Sequence, residues 1–114
     1  MNALQNPIEM DDAELVTFAN RVTNLVEATR ILNGSETKVL LNIMALSAGR
    51  KPECVTLSLH DLEALTDLSE GAVRRALHAL ECRGMIRYTP HSNRTARTYT
   101  VDHDIVAMYA ETIH

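Results

Sequence analysis

The stretch LEALTDLSEGAVRRALHALECRGMIRY runs from Leu62 to Tyr88, and the reading of the fold turns on it. Thr66-Asp67-Leu68 is a tight turn between two helical patterns. Ser69 followed by Glu70 opens the second pattern. A serine oxygen accepts from the free amides of a first helical turn, and an acid there meets the positive end of the helix dipole. The helix runs to Cys82 or Arg83 and is stopped by Gly84. Val73, Ala76, Leu77 and Leu80 share one face and must pack onto what precedes them, whereas Arg74, Arg75, His78 and Glu81 lie mainly on the other. Gly71 costs about 1 kcal/mol of helix stability relative to alanine. Either of two gains can offset that cost: approach of the bare backbone to a phosphate, or close packing against the preceding helix.

The arginines of this stretch stand out because the protein as a whole is acidic, with a formal net charge of -4. From Gly71 to Thr98 there are six arginines (Arg74, Arg75, Arg83, Arg87, Arg94, Arg97) against the single acid Glu81, a segment charge of +5 that leaves -9 for the remainder. Binding a polyanion needs a basic face, not a basic protein. The plainer reading, a solvated strip that aids solubility, fits a cluster this dense less well.

Outward from this stretch, 114 residues suit one domain with one core, here 12–114 behind a flexible lead-in of residues 1–11. From Asp12 to about Leu32, Leu15, Phe18, Val22, Leu25 and Leu32 recur at spacings of three and four, which predicts a helix stopped by Asn33-Gly34. Ser35 is expected to cap a second helix that ends at Gly49. Its apolar residues Val39, Leu40, Leu41, Ile43, Met44 and Leu46 cover most of its circumference, so it reads as the buried central helix. Cys54 to Leu59 alternates as a short strand, and Ser58 with Asp61 fits a capping box for a third helix, Leu59 to Leu65. After the fourth helix, MIRYT and RTYTV read as two strands around the polar tip PHSNRTA, and Asp102 or Asp104 caps a last helix, IVAMYAETI.

Leu59 to Val101, LHDLEALTDLSEGAVRRALHALECRGMIRYTPHSNRTARTYTV, resembles the winged helix-turn-helix of bacterial transcriptional regulators. The resemblance rests on Leu62 and Leu65, Leu68-Ser69, Val73, Leu77, Leu80-Glu81, Gly84, Ile86 and Tyr99, and it covers about 43 of 114 residues. Asp67 departs from the glycine common in the turn, but aspartate tolerates a left-handed backbone better than most residues. The fold class implied is mainly α with a small antiparallel β wing: helix-turn-helix at about 59–83, wing at about 85–101, and extra helices at about 12–32 and 102–113. The resemblance implies that Ser69, Arg74, Arg75 and His78 contact phosphates and base edges; Arg75 is preferred over Arg74 as the base reader, and Gly71 joins the DNA-binding set through its bare backbone. It also implies that Asn93, Arg94 and Arg97 reach DNA from the wing.

The last helix is apolar on two sides, Ile105, Met108 and Tyr109 on one and Val106, Ala110 and Ile113 on another. One side meets the domain; a second copy is the simplest partner for the other. Leu15, Phe18, Val22 and Leu25 on the first helix, with Ile105, Met108 and Tyr109 on the last, are the expected dimer residues. The function expected is sequence-specific binding of double-stranded DNA by a homodimeric transcriptional regulator, with repressor the first choice. A DNA-binding part of a plasmid or phage replication or partition complex, and a winged helix used for protein docking, are the alternatives.

Other chemistries find little support. His78 and Cys82 stand one helical turn apart, as two zinc ligands can, but no second thiol follows nearby, so no metal and no cofactor is expected. Glycine-rich phosphate loop, HExxH and nucleophile elbow are all missing, so no enzyme is expected. No apolar run approaches the ~20 residues that cross a bilayer, and the acidic start MNALQNPIEMDD is unlike a secretory signal. Two cysteines are too few for a disulfide framework, and a cytoplasmic location is the expectation.

Overall fold

Each helix of the computed structural model, which describes residues 10–90 and 96–112, begins at a side chain that accepts a first-turn amide. In α1 (Asp12–Ala28), Asp11 Oδ1 accepts from the Glu14 amide at 2.8 Å, and Glu14 returns the bond to the Asp11 amide at 3.4 Å. Asn33 and Glu36 do the same for α2 (Gly34–Ser47), and Ser58 and Asp61 for α3 (Leu59–Thr66). Ser69 Oγ accepts from Ala72 at 3.2 Å to start α4 (Glu70–Cys82), and Asp102 Oδ1 accepts from Ile105 at 3.1 Å to start α5 (His103–Thr112). Each such cap contributes about 1 kcal/mol.

Two boundaries differ from expectation. The first helix ends at Ala28 rather than near Leu32, and α2 is capped by Asn33 rather than Ser35. A capping residue needs extended backbone (Asn33 has φ -81, ψ 174), so Asn33 starts α2 instead of closing α1. Leu32 nevertheless reaches the core, 8% exposed, from the connecting turn.

Strands β1 (Val55–Ser58), β2 (Ile86–Pro90) and β3 (Ala96–Val101) form one antiparallel sheet in the order β1-β3-β2. The strand before α3 is therefore the third member of the wing sheet, and it is shorter than Cys54–Leu59 because Leu59 already belongs to α3. Register places Tyr99 between Val55 and Tyr88, and Val101 opposite Ile86. Because side chains alternate across a strand, Val55, Leu57, Ile86, Tyr99 and Val101 all point into the core.

The core gathers around α2, whose Val39, Leu40, Ile43 and Met44 are buried against Leu62 of α3 and Val73, Ala76, Leu77 and Leu80 of α4. Leu41 is the exception to the fully wrapped helix expected, at 39% exposed. At the end of α4, Gly84 adopts φ 76, with Met85 N–H donating to Leu80 O at 3.0 Å and Gly84 N–H to Glu81 O at 2.9 Å. This left-handed close turns the chain so that Met85 and Ile86 enter the core as β2 begins. Helix α1 packs chiefly against α5.

Candidate nucleic-acid interface

Thr66 ends α3, and Asp67 takes a left-handed conformation, φ 56 and ψ 31, that redirects the chain into Ser69 and α4. Aspartate holds the place that the resemblance usually gives to glycine. The turn lays α4 across α2 and α3, with its apolar face inward and Arg74, Arg75, His78 and Glu81 exposed, as the spacing predicts. Ser69 and Gly71 are exposed at the helix start. A methyl group built on Gly71 would meet only the Arg75 guanidinium, at 3.3 Å, so α3 does not pack closely there. Close packing against α3 is therefore not what Gly71 serves.

The arginines of the basic segment have separate fates. Arg74 is tied to Glu70 one turn earlier, Nη2 at 2.9 Å and Nε at 3.2 Å from Oε1, with both side chains more than half exposed. Arg75 has no hydrogen bond or ion pair among the described residues, and its guanidinium lies over Gly71. Arg83 is turned away from that face: Nη1 pairs with Glu36 Oε1 at 3.2 Å and Nη2 donates to Ile31 O at 3.2 Å, tying α4 to the α1–α2 turn. Arg87 is exposed on β2, on the sheet face opposite the core.

Arg97 sits at the base of the wing, half-buried, with its guanidinium 4.6 Å from the Tyr88 ring centroid. Tyr88 in turn contacts Tyr99, ring centroids 6.0 Å apart. A guanidinium stacked on an aromatic ring loses little on being held still, so Arg97 is presented in one orientation. It borders two clefts beside α4, about 450 Å³ between α3, α4 and the sheet and about 150 Å³ between α4 and Tyr88, and Arg74 lines both. Tyr99 is fully buried, its hydroxyl makes no hydrogen bond of ordinary geometry among the described residues, and burial raises its pKa against the opposing pull of the nearby Arg97 guanidinium. Asn93 and Arg94, the other wing residues expected at DNA, lie outside the described residues.

His78 Nε2 and Cys82 Sγ are 3.5 Å apart and contact each other. Among the described residues, no set of three His, Cys, Asp or Glu side chains is arranged to hold a metal ion, and both thiols are free. No helix among them is long and apolar enough to cross a membrane.

The expected dimer residues divide in the same way. Leu25 is 2% exposed and belongs to the protomer core, so it is corrected to a core residue. Phe18, Val22, Ile105 and Tyr109 are half-buried against that core, while Leu15 and Met108 stand 49% and 51% exposed. Leu15, Ala19, Val22 and Val26, spaced four, three and four, form a seam along α1 in which Val26 is 60% exposed. Val26 stands outside the three-four stripe of α1, whose inward edge includes its neighbour Leu25.

A cluster that sequence did not suggest joins α1, the approach to β1 and α5. Arg21 Nη1 contacts both Glu53 oxygens at 2.7 Å, and His103 Nε2 lies 3.0 Å from Glu53 Oε1. Burial, followed by the nearby Arg21 charge, holds the His103 pKa below its ordinary value.

No family model matches the sequence, and no curated protein matches it. Two solved structures do match in shape. Wild-type MarR from E. coli, in its apo form, superposes with a TM-score of 0.53 at 20% identity, covering 93% of this chain and 76% of that one. BpsR from Bordetella bronchiseptica, described for the regulation of its DNA binding by 6-hydroxynicotinic acid, gives 0.52 at 18% identity, covering 90% and 76%. With its short helix, turn, capped second helix and two-stranded return, the chain has the winged helix-turn-helix fold of these proteins.

Proposed function

We propose that the protein binds duplex DNA sequence-specifically as a homodimer and acts as a transcriptional regulator. The observation that carries this reading is Arg75. It stands on the exposed face of α4 with no hydrogen-bond or ion-pair partner among the described residues, its guanidinium over Gly71. A guanidinium whose donors have no partner among the described residues, on the exposed face of α4, suits the O6 and N7 acceptors of guanine in the major groove. Arg97 at the base of the wing then neutralises a phosphate on the flank, the role the sequence also assigns to Arg94. BpsR, which shares the fold, is itself described as DNA-binding.

Dimerisation is the second part of the reading. The seam of Leu15, Ala19, Val22 and Val26 has the spacing by which two helices interlock, and nothing among the described residues covers its outer edge. A two-fold pair presents two α4 helices to half-sites about one DNA turn apart. A repressor role follows if the bound site overlaps a promoter.

The test is a titration of Arg74→Ala, Arg75→Ala and Arg97→Ala against a selected duplex and a scrambled one at several salt concentrations. Arg75→Ala is expected to lower the selected-to-scrambled ratio by roughly 1–3 kcal/mol. Arg97→Ala is expected to weaken both duplexes alike and to reduce the salt slope by about 1. Unchanged DNA binding in all three variants would refute the reading in favour of protein docking.

A further inference from the structure

The exposed face of α4 is not basic. Glu70 and Glu81 balance Arg74 and Arg75, so its formal charge is zero when His78 is counted as neutral. For phosphate neutralisation a carboxylate at the first residue of the helix is a cost, whatever it gains from the positive end of the helix dipole. Glu70 is that residue, with its side chain 57% exposed. Its Oε1 receives both Arg74 donors, while no described group donates to Oε2. Glu70 therefore offers a free acceptor, and Arg74 both fixes its position and offsets its charge.

We propose, building on the DNA-binding reading above, that Glu70 determines specificity by accepting a hydrogen bond from the N4 amino group of a cytosine. The choice of base follows from what the major groove displays. Guanine offers two acceptors and thymine one, and all of them repel a carboxylate. Adenine offers a donor beside an acceptor, which suits an amide better than a group with acceptors only. Cytosine offers a lone amino donor there, which is what an ionised carboxylate can take.

The test is selection of bound sequences from a random duplex pool by the full chain and by its Glu70→Ala and Glu70→Gln variants. Thermal unfolding serves as a control that this exposed position leaves the fold intact. The wild type is expected to enrich cytosine at one position of each half-site. Glu70→Ala should lose that preference by about tenfold, as expected for one base contact, and should bind random duplex more tightly. Glu70→Gln should move the preference toward adenine, which an amide reads through N6 and N7. Unchanged base preferences in Glu70→Ala, with tighter random binding alone, would overturn the proposal and leave Glu70 as a charge damper. Arg75→Ala separates the two levels of inference in the same pool. If it loses a guanine while Glu70→Ala loses nothing, only the Glu70 proposal falls; if the wild type enriches no sequence, both fall.

Discussion

Val26→Asp is the perturbation that most cleanly separates the dimer from the protomer. Val26 is 60% exposed in the single chain, and it lies on the outer edge of the α1 seam. Full burial of a valine is worth about 1.5–3 kcal/mol, so covering the exposed part is worth roughly 1–2 kcal/mol. Two-fold symmetry counts that contribution twice, giving about 2–4 kcal/mol per dimer, or roughly 30- to 1,000-fold in its dissociation constant. The aspartate adds the cost of desolvating a carboxylate, so these figures are lower bounds. In the monomer the side chain meets water, and unfolding stability should change by no more than about 0.5 kcal/mol. Leu25→Ala makes the contrast: one residue earlier, 2% exposed, it should cost about 2–5 kcal/mol of protomer stability. Sedimentation across micromolar concentrations reads the first quantity and urea unfolding reads the second. A wild type that sediments as a monomer, or a Val26→Asp variant that stays as dimeric as wild type, would refute the reasoning.

Two further outcomes follow from local geometry. The native state resists protonation of His103, which is half-buried against Glu53 and Arg21 with Asp102 close by, whereas the unfolded chain takes up that proton near pH 6.5. Stability from this group is thus complete above about pH 6.5 and is lost as pH falls through the lowered native value; His103→Gln should flatten that acid loss in unfolding measurements, and an acid limb identical to wild type would contradict the assignment. Gly84→Ala should destabilise the protein by about 1–2 kcal/mol through its left-handed backbone and not through a clash, since the nearest atom to an added methyl is Ile105 Cδ1 at 3.7 Å; unchanged urea unfolding would remove the strain argument.

What was legible in the sequence is what is encoded locally. Ser58 with Asp61, Ser69 with Glu70, and Gly84 announce helix ends within three or four residues, and the structure realises each of them. The two faces of α4 are likewise a matter of spacing alone. Contacts between distant segments were not legible. Counting charges placed Arg83 in the basic segment, but its partner Glu36 lies 47 residues away and ties it to α2. Glu53 gave no signal either, because Arg21 and His103 reach it from 32 and 50 residues away. Arg97 could be read as a wing residue; its seat on Tyr88 depends on strand register, which pairs Tyr88 with Tyr99. Alternation along IRYTP and ARTYTV holds that information, but only once the two strands are aligned. Asn33 was misread because one residue type serves both helix ends, and only the pairing with Glu36 decides between them.

The central claim is that α4 reads bases in the major groove from a two-fold pair of chains. Protection of guanine N7 from methylation measures it most directly, because that atom is exposed only in the major groove and is one of the two that a bidentate arginine covers. On a selected duplex, the account predicts two clusters of protected N7 atoms about 10 base pairs apart, with protection at one guanine per half-site lost in Arg75→Ala. Binding with every guanine N7 left reactive, or with a single protected cluster, would contradict it.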